Sequence, residues 1–161
     1  MERNVTSALS KYGINYEVLT IDPDYADTLE FCSKYNYQLE NSGNTIIVTS
    51  KRGPKKYVAC LIQAHMRLDV NKVVTALMGT TRASFASADE TQQMTGMLIG
   101  GVTLFGLPLD LPIYVDDRIR NIEYLILGGG DRSSKLKITA TEFKKVPNLI
   151  FVSGLAVIKN L

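Results

Sequence analysis

The sequence is short of the residues that build metal centres and disulfide frameworks. Its 161 residues hold two cysteines, Cys32 and Cys60, one histidine, His65, and no tryptophan. Two cysteines cannot form a disulfide scaffold, and with a single histidine they cannot complete a four-ligand zinc site without carboxylates. No metal or other cofactor is therefore expected. No apolar run approaches the roughly 18 residues that span a bilayer. The opening Met1-Glu2-Arg3-Asn4-Val5 has no long apolar stretch behind it, so neither a signal peptide nor a membrane anchor is expected, and the cytoplasm is the expected compartment. Net charge is only +2, too small to mark the whole surface as a nucleic-acid binder. No GxxxxGK[ST] or GxGxxG stands between a strand and a helix, which leaves a nucleotide-phosphate loop unsupported.

What remains suits one domain spanning residues 1–161. With 45% hydrophobic and 21% charged residues the chain can bury a core, and it shows no repeat, low-complexity tract or Pro/Ser-rich linker. The first dozen residues read as a helix closed by Gly13. Ile14 to Val18 alternates as a strand, Asp22-Pro23-Asp24 makes a turn, and Tyr25 to Tyr35 reads as a helix capped by Asp24. Thr45–Thr49 and Tyr57–Ile62 are strands joined by a hairpin with Gly53-Pro54. Asp69 caps a helix carrying Val70, Val73, Val74 and Leu77. A short strand at Ala83–Phe85, a helix from Ala88, strands at Leu111–Val115, Ile122–Leu127 and Lys135–Ile138, a helix at Thr141–Lys145 and a strand at Leu149–Val152 follow. Strands outnumber helices and no regular βαβ alternation exists. The fold class is α+β, a mixed, partly barrel-like β-sheet flanked by helices.

Familiar nucleophilic chemistry finds little support. Cys60 lies in a continuous apolar strand and Cys32 lies mid-helix among Leu29, Phe31 and Tyr35, positions that suit small buried hydrophobes better than reactive thiolates. His65 sits in a short connection and reads as a surface residue. Asp89 and Glu90 fit the acidic first turn of a helix. Two glycine clusters are less ordinary. Gly96, Gly100, Gly101 and Gly106 interrupt an apolar segment, and Gly128-Gly129-Gly130 directly follows a strand. Such backbone either approaches something closely or offers amides to an oxygen-rich ligand; bulges and tight turns would use the same glycines. Lys51, Arg52, Lys55 and Lys56 form a basic hairpin without an acid, either a solvated surface or a contact for a phosphate backbone.

The central segments resemble the YbaK/prolyl-tRNA synthetase-associated editing domain family from Ile14 to Phe143. The likeness rests on Gly43-Asn44-Thr45-Ile46-Ile47-Val48, on Arg67-Leu68-Asp69-Val70-Asn71-Lys72, and on Thr95-Gly96 through Gly100-Gly101-Val102 to Phe105-Gly106-Leu107-Pro108 ahead of Pro112–Asp116. A Gly-Gly-Gly loop before Arg132 also recurs in similar chains. The resemblance implies a deacylase that removes a wrong amino acid from tRNA, typically alanine or cysteine on the proline tRNA, with tRNA as partner. Asn44 and Thr45 would orient the aminoacyl group, and backbone amides from Gly100 to Thr103, Gly101 among them, would polarise the ester. Thr28, Val102, Gly128 and Gly129 would complete the substrate pocket, and Lys51, Arg52, Lys55 and Lys56 would touch the tRNA backbone. The sequence departs from the family at two places: Asn44 stands where lysine is usual, and Leu104 where proline is. A non-catalytic module that binds an aminoacyl group or tRNA end is the alternative. Monomer and homodimer both remain open, and the tail after Pro147 pairs either within the domain or across a partner.

Overall fold

The computed structural model describes residues 1–159. In chain order its helices and strands are α1 (Arg3–Lys11), β1 (Glu17–Thr20), α2 (Thr28–Tyr35), β2 (Gly43–Ser50), β3 (Tyr57–Gln63), β4 (Met66–Leu68), α3 (Thr75–Met78), β5 (Ala83–Phe85), α4 (Ala88–Thr95), β6 (Ile113–Asp116), β7 (Tyr124–Gly128), β8 (Ser134–Thr139), β9 (Leu149–Val152) and β10 (Ala156–Ile158). The strands form a five-stranded sheet in the order β5-β2-β3-β6-β9, a three-stranded sheet β1-β8-β7 and a pair β10-β4. β2 pairs antiparallel with β3 and β5, whereas β3–β6 and β6–β9 are parallel. The mixed α+β architecture is the one the sequence implies. The two larger sheets meet at a parallel bridge between Ser42 and Ile126 and do not close into a barrel.

The side-chain period of a strand decides which core each residue joins. On β2 and β3, Ile47, Ala59 and Leu61 face one core with Leu125, Leu127, Leu136, Ile138 and Phe105. The alternate residues Val48, Val58, Cys60 and Ile62 face a second core with Met66, Leu68, Val74 and Leu155. β3 is buried on both faces and reads as an unbroken apolar run for that reason. Along β7 the same alternation turns Ile126 to a third cluster with Phe31, Cys32 and Ala26, under α2. α1 contributes Val5, Ala8 and Leu9, spaced at three and four.

Several elements differ from the sequence reading. β1 begins at Glu17 because Ile14 and Asn15 are held otherwise: the Ile14 amide donates to Leu9, and the Asn15 amide to Glu142 Oε1 at 2.7 Å. α2 begins at Thr28, since Asp22 caps a separate 3-10 turn at Pro23–Tyr25. Asp69 does accept from the Lys72 amide, but the chain makes a π-turn over Val70–Val74 before α3, which Gly79 closes at φ +67°. Ala140–Lys145 is 3-10 rather than α. The tail pairs inside the chain, β9 beside β6 and β10 beside β4. Buried Asp116 secures it, accepting from the Ala156 amide at 2.8 Å while paired with Arg118.

Candidate functional site

The first half of β2 has an open edge. In an antiparallel ladder the N–H and C=O of one residue point to the same side, and the side alternates along the strand. The Ala86 amide donates to the Ile47 carbonyl at 2.8 Å, so Ile47, Thr45 and Gly43 turn their backbone groups away from β3. Pairing with β5 covers only Val48–Ser50, and on the other flank β7 touches the strand at Ser42. Thr45 falls in the gap between β5 and β7. A Cβ at Gly43, two residues before it, would lie 2.8 Å from Leu125 Cδ2 and 2.9 Å from Leu127 Cδ2, so these buried side chains would have to shift.

A cavity of about 410 Å³ opens at this gap, within the range of small-molecule sites. It is lined by Asn44, Thr45, Ile46 and Ile47 of β2 together with Gly100, Val102, Gly128 and Lys135. Thr28, in the first turn of α2, donates to Asn44 Oδ1 at 2.6 Å. That bond fixes the amide so that Nδ2 keeps its two donors for another partner. The Thr45 hydroxyl is buried with no hydrogen-bond partner among the described residues.

The two glycine clusters lie back to back. The Gly130 amide donates to the Gly101 carbonyl at 2.6 Å, and the Leu98 amide donates to the Gly130 carbonyl at 3.2 Å. A Cβ on Gly101 would stand 2.0 Å from the Asp131 carbonyl oxygen, and one on Gly128 would stand 2.4 Å from the Gly101 oxygen. Of the two uses the sequence left open for these glycines, close approach is therefore met by each loop against the other. Arg132 staples them to α2: Nη1 donates to the Ile99 carbonyl (2.7 Å) and to Asp27 (3.0 Å), and Nη2 donates to the Pro23 carbonyl (3.0 Å).

Residues 22–146 match the sequence profile of the aminoacyl-tRNA editing domain. The chain belongs to the aminoacyl-tRNA editing domain family. Solved structures agree on the fold. A hypothetical protein, APE2540, superposes with a TM-score of 0.83 at 21% identity, covering 96% of this chain and 99% of its own. A candidate trans-editing enzyme for prolyl tRNA synthetase gives 0.78 at 21%, with 99% and 96% covered. A candidate signal transduction protein from Marinobacter aquaeolei VT8 gives 0.67 at 15%, with 98% of this chain matched to 31% of that one.

Not every residue singled out in the sequence reaches the cavity of this editing domain. Asn44, Thr45, Thr28, Gly100, Val102 and Gly128 line it; Gly101, Thr103 and Gly129 do not. The Gly101 amide donates to Leu98 at 2.8 Å, so it is not turned to a ligand. Thr103 is wholly buried, and its hydroxyl has no partner among the described residues. The Gly129 carbonyl accepts from the Glu2 amide at 3.0 Å, away from the cavity. Lys51, Arg52, Lys55 and Lys56 are all exposed, at the far end of β2; six residues separate Ser50 from Asn44, about 20 Å at strand rise. Lys55 pairs with Glu90 at 3.6 Å, and Lys56 donates to the Met78 carbonyl at 3.2 Å. A second cavity of about 410 Å³ lies beneath that hairpin, lined by Lys55, Lys56, Tyr57 and Met78 but by neither glycine cluster.

The thiols and the histidine stand apart. Burial pushes the Cys60 thiol up to about 12, which keeps it protonated. Cys32 is buried beside Ser42 at 3.2 Å. His65 is half-buried in the turn between β3 and β4 rather than exposed, with Nδ1 unpartnered among the described residues.

Sequence reasoning missed Lys135. It is 5% exposed, stands opposite Gly128 across β7–β8, and donates from Nζ to the Gly100 carbonyl at 2.7 Å. Nζ also lies 5.5 Å from the centre of the Phe31 ring. Burial lowers its pKa from 10.5 to about 8; Arg132 adds to the effect, while Asp27 and Cys32 oppose it. The sequence does hold one signal: Lys135-Leu136-Lys137 lies at the start of the strand that leaves the second glycine loop, with four residues between Gly130 and Lys135.

Proposed function

We propose that this chain is an aminoacyl-tRNA deacylase acting in trans in the cytoplasm, as one domain spanning residues 1–161. Its substrate is a small amino acid such as alanine or cysteine mistakenly esterified to the proline tRNA. The observation that carries the reading is the one cavity that Asn44 and Thr45 line together with Gly100, Val102 and Gly128. The chemistry required is attack of water on the ester carbonyl carbon, cleavage of the bond to the ribose oxygen, and return of the proton to that oxygen. Nδ2 of Asn44, fixed by Thr28, donates to the aminoacyl group. The open edge at Thr45 offers a carbonyl to its α-ammonium and an amide to an oxygen. Lys51, Arg52, Lys55 and Lys56 meet the phosphate backbone farther along the tRNA, and the protein works as a monomer or homodimer.

One observation favours the alternative, a module that binds an aminoacyl end without hydrolysing it. Asn44 is a neutral donor where lysine is usual, and the Gly101 amide is already bonded to the Leu98 carbonyl, so a developing negative charge has one weaker donor and one donor fewer. Incubation with tRNAs charged with Ala, Cys, Ser, Thr and Pro separates the two readings. Hydrolysis of one non-cognate species supports the deacylase, and binding without turnover supports the module. Asn44→Ala is expected to lower turnover at least about tenfold, the scale of a lost transition-state donor. Unchanged turnover would remove Asn44 from the reaction.

A further inference from the structure

An ammonium group has three N–H donors. Lys135 uses one, on the Gly100 carbonyl, and no carboxylate lies within 4.0 Å of its Nζ among the described residues. A buried cation with so few partners is costly for the fold unless something else compensates it. Everything around it holds it in place: Phe31 of α2 beneath, Gly128 alongside, and the Gly100 carbonyl as its fixed acceptor. The two remaining donors have the cavity as their outlet, since Lys135 is part of its wall. A donor fixed in advance, in a site shielded from water, is the arrangement that best stabilises charge appearing on an oxygen.

We propose that Lys135 is a catalytic residue of this site, its ammonium donating to the carbonyl oxygen of the aminoacyl ester as that oxygen becomes negative. The inference rests on the deacylase reading and deepens it. Water oxygen bonds to the carbonyl carbon, and the electron pair of the C=O moves to the oxygen facing Lys135 Nζ. When the pair returns, the bond to the ribose oxygen breaks and the proton released by water ends on the ribose hydroxyl. Lys135 keeps its proton throughout. The ammonium also sets a direction, because it repels the substrate's own α-ammonium toward the Asn44–Thr45 wall. The titratable and charged groups acting on Lys135 are Asp27 ahead of α2, Arg132 of the second glycine loop, and Cys32; Glu30 and Lys159 line the same cavity.

The test compares wild type with Lys135→Met and Lys135→Gln on the charged tRNA that wild type hydrolyses best. Lys135→Met keeps the length and apolar stem, and a preserved melting temperature shows that it folds. It is expected to lose about hundredfold or more in kcat, with KM for tRNA within about twofold. Lys135→Gln, a neutral donor, is expected to fall between the two. After subtraction of uncatalysed hydrolysis, wild-type kcat should decline as pH rises through about 8, the value at which this ammonium loses its proton. The variants should lack that decline. An active wild type with Lys135→Met within threefold of it overturns this inference alone, and so does a slowed variant whose pH profile is unchanged, since that marks a merely structural hold on Gly100. A wild type that hydrolyses none of the charged tRNAs overturns the deacylase reading and this inference together.

Discussion

The two ends of β2 carry positive charge in opposite ways. At the hairpin end, Lys51, Arg52, Lys55 and Lys56 stand in solvent, and their partners are a half-buried glutamate and a carbonyl. At the other end one buried ammonium, Lys135, is shut between an aromatic ring and two glycine loops. Water screens the first group over a Debye length of about 8 Å at physiological salt. It hardly reaches the second. Four cations at the surface can therefore guide and hold a polyanion, yet do little to a reacting bond about 20 Å away along the strand. One dry cation can alter a barrier. The number of charges is a poor guide to which end does chemistry; their surroundings are a good one.

Backbone packing offers the sharpest way to test that contrast. Gly101→Ala would drive a Cβ to 2.0 Å from the Asp131 carbonyl oxygen, backbone that cannot step aside. A loss of roughly 3 kcal/mol or more in urea unfolding is expected. Gly53→Ala in the hairpin meets nothing within 4 Å, though its φ is +70°, and should cost about 1 kcal/mol. Equal losses would mean that the pocket end is no more tightly built than the hairpin.

Lys135 gives the next largest effect. Its pKa in the fold, about 8, lies below the ordinary 10.5. Between those values the unfolded chain holds a proton that the folded chain has released, so wild-type stability should rise with pH across this window. Below about pH 8 the folded state carries the buried charge and is at its disadvantage. Lys135→Met removes this dependence: it should be the more stable protein near pH 7, by at most about 3 kcal/mol, with the gap closing toward pH 10.5. A gap that does not change with pH would show that the lysine is better solvated than its surroundings indicate.

The hairpin should give the smallest stability change and a clear binding change. Replacing Lys51, Arg52, Lys55 and Lys56 with Gln is expected to leave folding within about 0.5 kcal/mol. It should weaken tRNA binding and flatten the plot of log affinity against log salt, by up to about 0.9 for each phosphate that is no longer neutralised. An unaltered salt slope would make this face a solvated surface and nothing more.

The same contrast explains what could be read from the sequence. β2, β3 and β8 announce themselves through β-branched or alternating residues, and the hairpin through Gly53-Pro54. β4 and β10 do not, because three residues carry no period and their pairing is settled by distant chain. Of the residues lining the cavity, Asn44, Thr28, Gly100 and Gly128 were legible through the family resemblance. Lys135 was not. Alternation along Lys135-Leu136-Lys137-Ile138 tells that Leu136 and Ile138 share a face, and it leaves both lysines facing outward alike. What separates them is α2, which covers one end of that outer face: Lys135 lies beside Phe31, while Lys137 reaches over the Tyr124 ring at 4.5 Å and stays half-buried. Coverage of a second face is a property of the assembled molecule.

The interlocked glycines have a consequence for discrimination among amino acids. At Gly100 an added Cβ would crowd the Arg132 and Asp27 side chains, and at Gly128 it would strike the Gly101 carbonyl, so neither position can narrow the site by gaining a side chain. Retuning of which residue the site accepts falls to lining positions that already carry side chains, Val102, Ile46, Phe85, Ala86 and Thr91 among them, where shape can change without unlocking the loops.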